Sequence, residues 1–302
     1  EDSTMKRSIL VIDPEAEWFR DQIQPKFPEL DVLTASNAAE GLKVIPDVDA
    51  VGCMPPMMTE DTVKAAKKLA WVQAFTTGTD KFERLLLGRP EVAITSMSGI
   101  HGPQMAEMSF LLMIALARGL PRVLRNQAKH EWERFRQVRL YGKTSVILGV
   151  GVSGKDLARR CKAFGMKVIG VTRTPRVLPD FDEMVGYDRL AEAAAKADFF
   201  NILVPYEKAT HRMVNASVLA AMKPSAYLIN IARGGVLDED AIIETMRARR
   251  IAGAGLDVFA SEPLSAGSPL WDMDNVIVTP HLAGQCDVYN ELVCGVFAQN
   301  LQ

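Results

Sequence analysis

Sulfur and imidazole are scarce in this 302-residue chain, which has four cysteines and four histidines. Cys53, Cys161, Cys286 and Cys294 stand alone with no Cys-x-x-Cys spacing, which argues against a disulfide framework or a zinc site. No metal is expected, and isolated thiols fit a reducing cytoplasm. An excess of either charge is also missing: 35 Lys and Arg against 37 Asp and Glu leave a formal net charge of −2. That balance speaks against a nucleic-acid binder or a protein drawn to anionic membranes. Long apolar runs are lacking too. The longest, Phe110 to Ala117, spans eight residues, far below the roughly 20 needed to cross a bilayer. Ile9–Ile12 is too short for the apolar core of a secretion signal, so none is expected.

What the chain does have is a regular alternation. Short β-rich runs at Ser8–Ile12, Asp31–Thr34, Ala50–Cys53, Val72–Phe75 and Val92–Thr95 are separated by helical stretches. A long helix is predicted from about Pro103 to Gly119, ended by Pro121, with a charged stretch Lys129–Arg139 after it. A second alternation follows, with strands at Ser145–Leu148, Lys167–Val171, Phe199–Leu203, Tyr227–Asn230, Gly253–Asp257 and Val276–Thr279. Leu178–Val185 reads as an ordinary loop. Strands divided by helices imply right-handed crossovers and parallel sheets. The fold class is therefore α/β, with two Rossmann-like, doubly wound parallel-sheet domains joined near Ser98. A small-molecule site is expected in a cleft between two such domains.

Gly149-Val-Gly151-Val152-Ser153-Gly154 follows a predicted strand and opens a predicted helix. In that setting the first glycine allows the tight turn and the second lets the backbone approach a pyrophosphate. The third lets helix and strand pack closely, and the helix N-terminus faces the phosphates. The next strand should end in an acid that binds the ribose 2′-hydroxyl. Thr172-Arg173-Thr174-Pro-Arg176 stands there instead. Two guanidiniums and two hydroxyls suit a 2′-phosphate, so NADP(H) is expected in preference to NAD(H), with NAD(H) still possible.

Three further residues lie just beyond predicted strand ends, where open parallel sheets bind ligands. They are Arg233 in Asn-Ile-Ala-Arg-Gly-Gly, Glu262 in Phe-Ala-Ser-Glu-Pro, and His281 in Thr-Pro-His-Leu-Ala-Gly. Each alone is more often structural than chemical. Together they fit hydride transfer to a 2-oxo acid. Arg233 would anchor the carboxylate and polarise the carbonyl, and His281 would give the proton. Glu262 would orient the imidazole and favour its protonated form. Met54, in Met-Pro-Pro-Met-Met, is a candidate for the substrate side-chain pocket because thioethers adapt to varied apolar shapes. A plain core role suits that cluster equally well.

The ordered set of motifs resembles the D-2-hydroxyacid dehydrogenase family, in particular its glyoxylate/hydroxypyruvate reductases, from about Trp71 to Gly284. The first seventy residues match only in pattern. The resemblance implies that Asp257 meets the nicotinamide amide, and that Val204-Pro205, Thr210, Ile231-Ala232, Ala283 and Gly284 line the cofactor. It implies that Thr77 and Gly78 offer backbone N–H groups to the substrate carboxylate, beside His281 and Arg233; Met54 is the candidate added to them from its own chemistry. It implies a substrate domain of residues 1–98, flavodoxin-like and completed by 285–302, with a cofactor domain of 99–284. A homodimer through the cofactor domains and a small 2-oxo or 2-hydroxy acid partner follow from the same likeness.

Three departures stand out. His101 replaces an Asn common in the family, Glu207-Lys208 replaces a usual Thr-Pro, and the chain stops at Gln302 where relatives continue. A regulatory domain is not expected after it, which would argue against a long phosphoglycerate dehydrogenase. Two other readings share the fold: a dinucleotide-sensing protein of the corepressor kind, and a dehydrogenase acting on formate or phosphonate.

Overall fold

The computed structural model describes residues 6–302; residues 1–5 of the expected first domain lie outside them. Two compact units are present. One is built from the chain up to Ile100 together with Cys286–Gln302, the other from His101–Gln285.

The first unit holds five parallel strands, β1 (Arg7–Ile12), β2 (Leu30–Ala35), β3 (Ala50–Cys53), β4 (Trp71–Ala74) and β5 (Ala93–Thr95), in the order β2-β1-β3-β4-β5. That is the flavodoxin-like order. Helices α1 (Ala16–Ile23), α2 (Ala38–Val44), α3 (Glu60–Ala65), α4 (Asp80–Leu85) and a C-terminal helix (Tyr289–Leu301) accompany it. Because both faces are covered, alternate residues of β1 enter different cores. Leu10 and Ile12 join Val51, Val72 and Phe82, while Ile9 and Val11 join Phe19, Phe75 and Phe297.

The second unit holds seven parallel strands. They are β6 (Thr144–Leu148), β7 (Lys167–Thr172), β8 (Glu183–Gly186), β9 (Phe199–Ile202), β10 (Tyr227–Asn230), β11 (Gly253–Leu256) and β12 (Val276–Val278). Their order is β12-β11-β10-β9-β6-β7-β8. Its helices are α5 (Gly102–Ala117), α6 (Leu120–Ala128), α7 (Val152–Ala163), α8 (Leu190–Lys196), α9 (Ala216–Ala221) and α10 (Glu239–Arg247). From β6 the chain winds outward to β8, then crosses back to β9 on the other side of β6. The crevice of such a sheet opens there, at the carboxyl ends of β6 and β9.

Two expectations need correcting. Leu178–Val185 is not all loop, since its last residues begin β8, which runs parallel to β7 with Val171 opposite Val185. An edge strand with only Val185 and Gly186 fully buried carries too little apolar pattern to announce itself. Pro121 ends no helical region; it lies in the first turn of α6, where its missing N–H has no intrahelical partner to lose. The break between α5 and α6 falls at Gly119, whose φ is +66°.

Candidate active site

At the end of β6 the chain turns sharply. Gly149 has φ +105°, and a Cβ there would lie 2.7 Å from the carbonyl carbon of Leu203 and the nitrogen of Val204. A Cβ on Gly154 would lie 2.0 Å from the Gly149 oxygen, so the first turn of α7 presses against the loop it leaves. Gly151, the N-cap of this twelve-residue helix, faces open space. Val152 and Gly151 are exposed and Ser153 is half-buried. A helix start with open room above its unpaired N–H groups fits a pyrophosphate.

Beside it, Val204 is buried and Pro205 begins an exposed loop. Thr210, fully buried, closes that loop on itself. Its hydroxyl donates to the Pro205 oxygen at 2.7 Å and accepts from the Glu207 N–H at 2.9 Å. Across β6, Thr172 is half-buried while Arg173, Thr174 and Arg176 are exposed. Arg173 is ion-paired with Glu207.

Arg233 follows β10 and Ile231-Ala232, both buried. Asn230, with no exposed surface, shapes that turn. Its Oδ1 accepts from the Ala232 N–H at 3.1 Å and its Nδ2 donates to the Arg233 oxygen at 3.3 Å. Arg233 is half-buried, and its Nη1 donates to the Ala232 oxygen at 2.8 Å. Immediately after it, a Cβ on Gly234 would fall 1.9 Å from the Phe259 carbonyl, so this backbone lies directly on the segment leading to Glu262.

Glu262 and His281 meet. The carboxylate Oε2 is 2.7 Å from His281 Nδ1, and Oε1 accepts from the Phe259 N–H at 3.0 Å. Burial would raise the Glu262 pKa. The hydrogen bonds from His281 and Phe259, and the charges of His281 and Arg233, outweigh it and hold the carboxyl below its ordinary value. His281 itself sits at φ +53°, an uncommon conformation for a non-glycine residue.

Asp257 holds it there. The Asp257 oxygen accepts from the His281 N–H at 2.9 Å. Its fully buried carboxylate accepts from the Thr279 hydroxyl at 2.5 Å and from the Leu282 and Ala283 N–H groups at 2.9 Å each. The role implied for Asp257 was a contact to cofactor; the structure adds this second task within its own chain.

His101, where the family commonly has an Asn, is the N-cap of α5. A Cβ on Gly284 would lie 3.2 Å from its ring. Burial, and then the Arg233 charge, lower its pKa, which favours a neutral imidazole beside the guanidinium. Its only signal in the sequence is that it departs from the family's pattern.

In the first unit, Thr77 and Gly78 follow the carboxyl end of β4, and the Thr77 hydroxyl donates to the Met97 oxygen at 2.7 Å. Met54 is half-buried against the core that contains Phe19 and Phe75, while Met58 is fully buried in the opposite core with Val51 and Phe82. Cys53 and Cys161 are buried, which pushes both thiols up to about 12. Among the described residues no group of His, Cys, Asp and Glu is arranged to hold a metal ion, and no helix is long and apolar enough to cross a membrane.

Residues 110–283 match the family described as D-isomer specific 2-hydroxyacid dehydrogenase, NAD binding domain. The chain belongs to the D-isomer specific 2-hydroxyacid dehydrogenase family. It is 33% identical over 270 residues to a glyoxylate reductase of Pyrococcus furiosus, covering 86% of this chain and 80% of that protein. It is 31% identical over 300 residues to a D-3-phosphoglycerate dehydrogenase of Methanocaldococcus jannaschii, covering 97% of this chain. This 2-hydroxyacid dehydrogenase chain spans only 56% of that relative's length. A solved structure of an NADPH-dependent glyoxylate/hydroxypyruvate reductase from Sinorhizobium meliloti, in complex with NADP and sulfate, superposes with a TM-score of 0.83. It is 29% identical, and the match covers 98% of this chain and 94% of that one.

Proposed function

We propose that the protein reduces small 2-oxo acids to D-2-hydroxy acids with a nicotinamide dinucleotide, NADPH in preference to NADH. The observation that carries this reading is the Glu262–His281 pair, 2.7 Å apart, with His281 on the turn after β12 that buried Asp257 holds and Glu262 on the segment after β11. A carboxylate on Nδ1 leaves Nε2, on the far side of the ring, to exchange a proton with substrate. When bound, the reduced nicotinamide supplies the hydride. Arg233 takes the substrate carboxylate in a two-pronged contact and draws charge from the neighbouring carbonyl. Protonated His281 delivers its proton to the carbonyl oxygen, and ionised Glu262 steadies the ring through both protonation states. In the reverse direction neutral His281 takes the proton back.

The preference for NADPH rests on the turn Thr172–Arg176, where guanidiniums stand in place of an acid. In the same reading the unit His101–Gln285 is the cofactor domain and the other unit the substrate domain, with Thr77 and Gly78 meeting the carboxylate. The exposed apolar residues Leu111, Leu120, Val123, Leu124 and Trp132 of the cofactor domain support a homodimer through that domain. Four unbridged thiols, three of them buried, suit a cytoplasmic setting.

The test is loss of reduced-nicotinamide absorbance with glyoxylate, hydroxypyruvate, pyruvate and phenylpyruvate, each run with NADPH and NADH. Turnover favouring NADPH is expected. Tight dinucleotide binding without turnover of any oxo acid would replace this reading with a sensor, and oxidation of formate or phosphonate would replace the substrate class.

A further inference from the structure

The end of β7 lacks an acid in sequence, yet the fold supplies one in space. Glu207 lies 34 residues beyond Arg173, on the loop after β9, and its carboxylate is ion-paired with the Arg173 guanidinium. The two loops can meet because β9 and β7 flank β6, so both leave the sheet at the same edge. Glu207 is not loosely tethered. Its N–H donates to Thr210 Oγ1 at 2.9 Å, and that fully buried hydroxyl donates to the Pro205 oxygen at 2.7 Å. Tyr187, beyond β8, feels both charges, which places all three groups around one small region. Arg173 is 63% exposed and Glu207 43%, so the pair is reachable by a ligand.

We propose that Glu207 is a selectivity residue that opposes Arg173 and restrains the preference for a 2′-phosphorylated dinucleotide. The proposal rests on the reading of Thr172–Arg176 as the 2′-phosphate seat. A phosphate that takes the Arg173 fork must displace the Glu207 carboxylate, and it meets that like charge at close range. An unphosphorylated ribose meets no such conflict. Its 2′-hydroxyl can donate to Glu207, the part an acid at the end of the second strand plays in NAD-binding folds. The charge pair therefore narrows the gap between the two dinucleotides. Because it is exposed, displacing it shifts an equilibrium by about fivefold at most.

The experiment is a fluorescence titration of the full chain with NADPH and with NADH, for wild type, Glu207→Gln and Arg173→Ala. Glu207→Gln keeps the shape and removes the charge. It is expected to tighten NADPH by about threefold to fivefold and leave NADH unchanged or weaker. Arg173→Ala should weaken NADPH and spare NADH. NADPH affinity that stays constant or falls in Glu207→Gln, while Arg173→Ala still discriminates, overturns the role of Glu207 alone. Loss of affinity for both dinucleotides alike in Arg173→Ala overturns the 2′-phosphate seat and this inference with it.

Discussion

Two turns of the same sheet, after β12 and after β7, carry His281 and Arg173 and are built differently. At the first, His281 is held by its own N–H to Asp257 and by Nδ1 to Glu262. Asp257, with no exposed surface, also takes the Thr279 hydroxyl and two backbone N–H groups of the same turn. At the second, Arg173 meets Glu207 out in solvent. One turn fixes the proposed proton donor against several buried hydrogen bonds; the other carries a solvent-exposed charge pair. Reaction geometry tolerates little displacement, whereas a choice between two similar dinucleotides needs only small energies.

That contrast can be broken by substitution. The largest effect is expected at His281→Asn, since Asn tolerates φ +53° better than Ala does. Turnover should fall about 10²- to 10⁴-fold with dinucleotide affinity near wild type; unchanged kcat would remove His281 as proton donor. Arg233→Gln should lower kcat/KM for a 2-oxo acid by about 10²- to 10³-fold, read from steady-state kinetics. A loss confined to dinucleotide binding would place Arg233 elsewhere.

Asp257→Asn probes the locked turn without touching its donor. An amide NH₂ cannot accept all the hydrogen bonds that the two carboxylate oxygens take, and a loss of about 2–3 kcal/mol is expected in denaturant unfolding. A variant as stable as wild type would mean that this turn is no more rigid than the one after β7. At the softer turn, Arg173→Asp should weaken NADPH by about tenfold more than NADH. Equal weakening would make it a solvated loop.

The smallest effect concerns pH. The folded Glu262 carboxyl is more acidic than an unfolded glutamate, so it stabilises the fold above the ordinary glutamate range. That contribution is lost as pH falls through the lowered folded value. Melting curves of wild type and Glu262→Gln should therefore converge on acidification; a constant separation would show that Glu262 is not selectively stabilised as the anion.

The alternation of apolar strands and helices was legible because strands covered on both faces need continuous apolar runs, as in Ile9–Ile12. The turn at Gly149–Gly154 was legible because only residues without a Cβ satisfy contacts as short as those the loop makes. The positions of Arg233, Glu262 and His281 after β10, β11 and β12 follow from the same strand reading. Edge strand β8 was hidden by its thin apolar pattern, and α6 by a proline that can begin a helix as well as stop one. The partners of Asp257 and Arg173 were not legible at all. Both depend on which loops share a sheet edge, and that is a property of strand order.

The C-terminal helix adds a constraint of time. Phe297 on that helix is fully buried and lies 5.4 Å, centroid to centroid, from Phe75 of the first unit. Tyr289 donates to the Phe75 oxygen at 2.8 Å, and Asn300 to Gln73 at 2.7 Å. As the chain leaves a ribosome, the strands these residues cover emerge first, and all of His101–Gln285 must be made before the helix arrives. At ordinary elongation rates the wait is about ten to forty seconds. Of the two units, the one begun first is thus the last to be completed, with part of one face of its sheet open to water, and to chaperones, until Tyr289–Leu301 joins α1 over it.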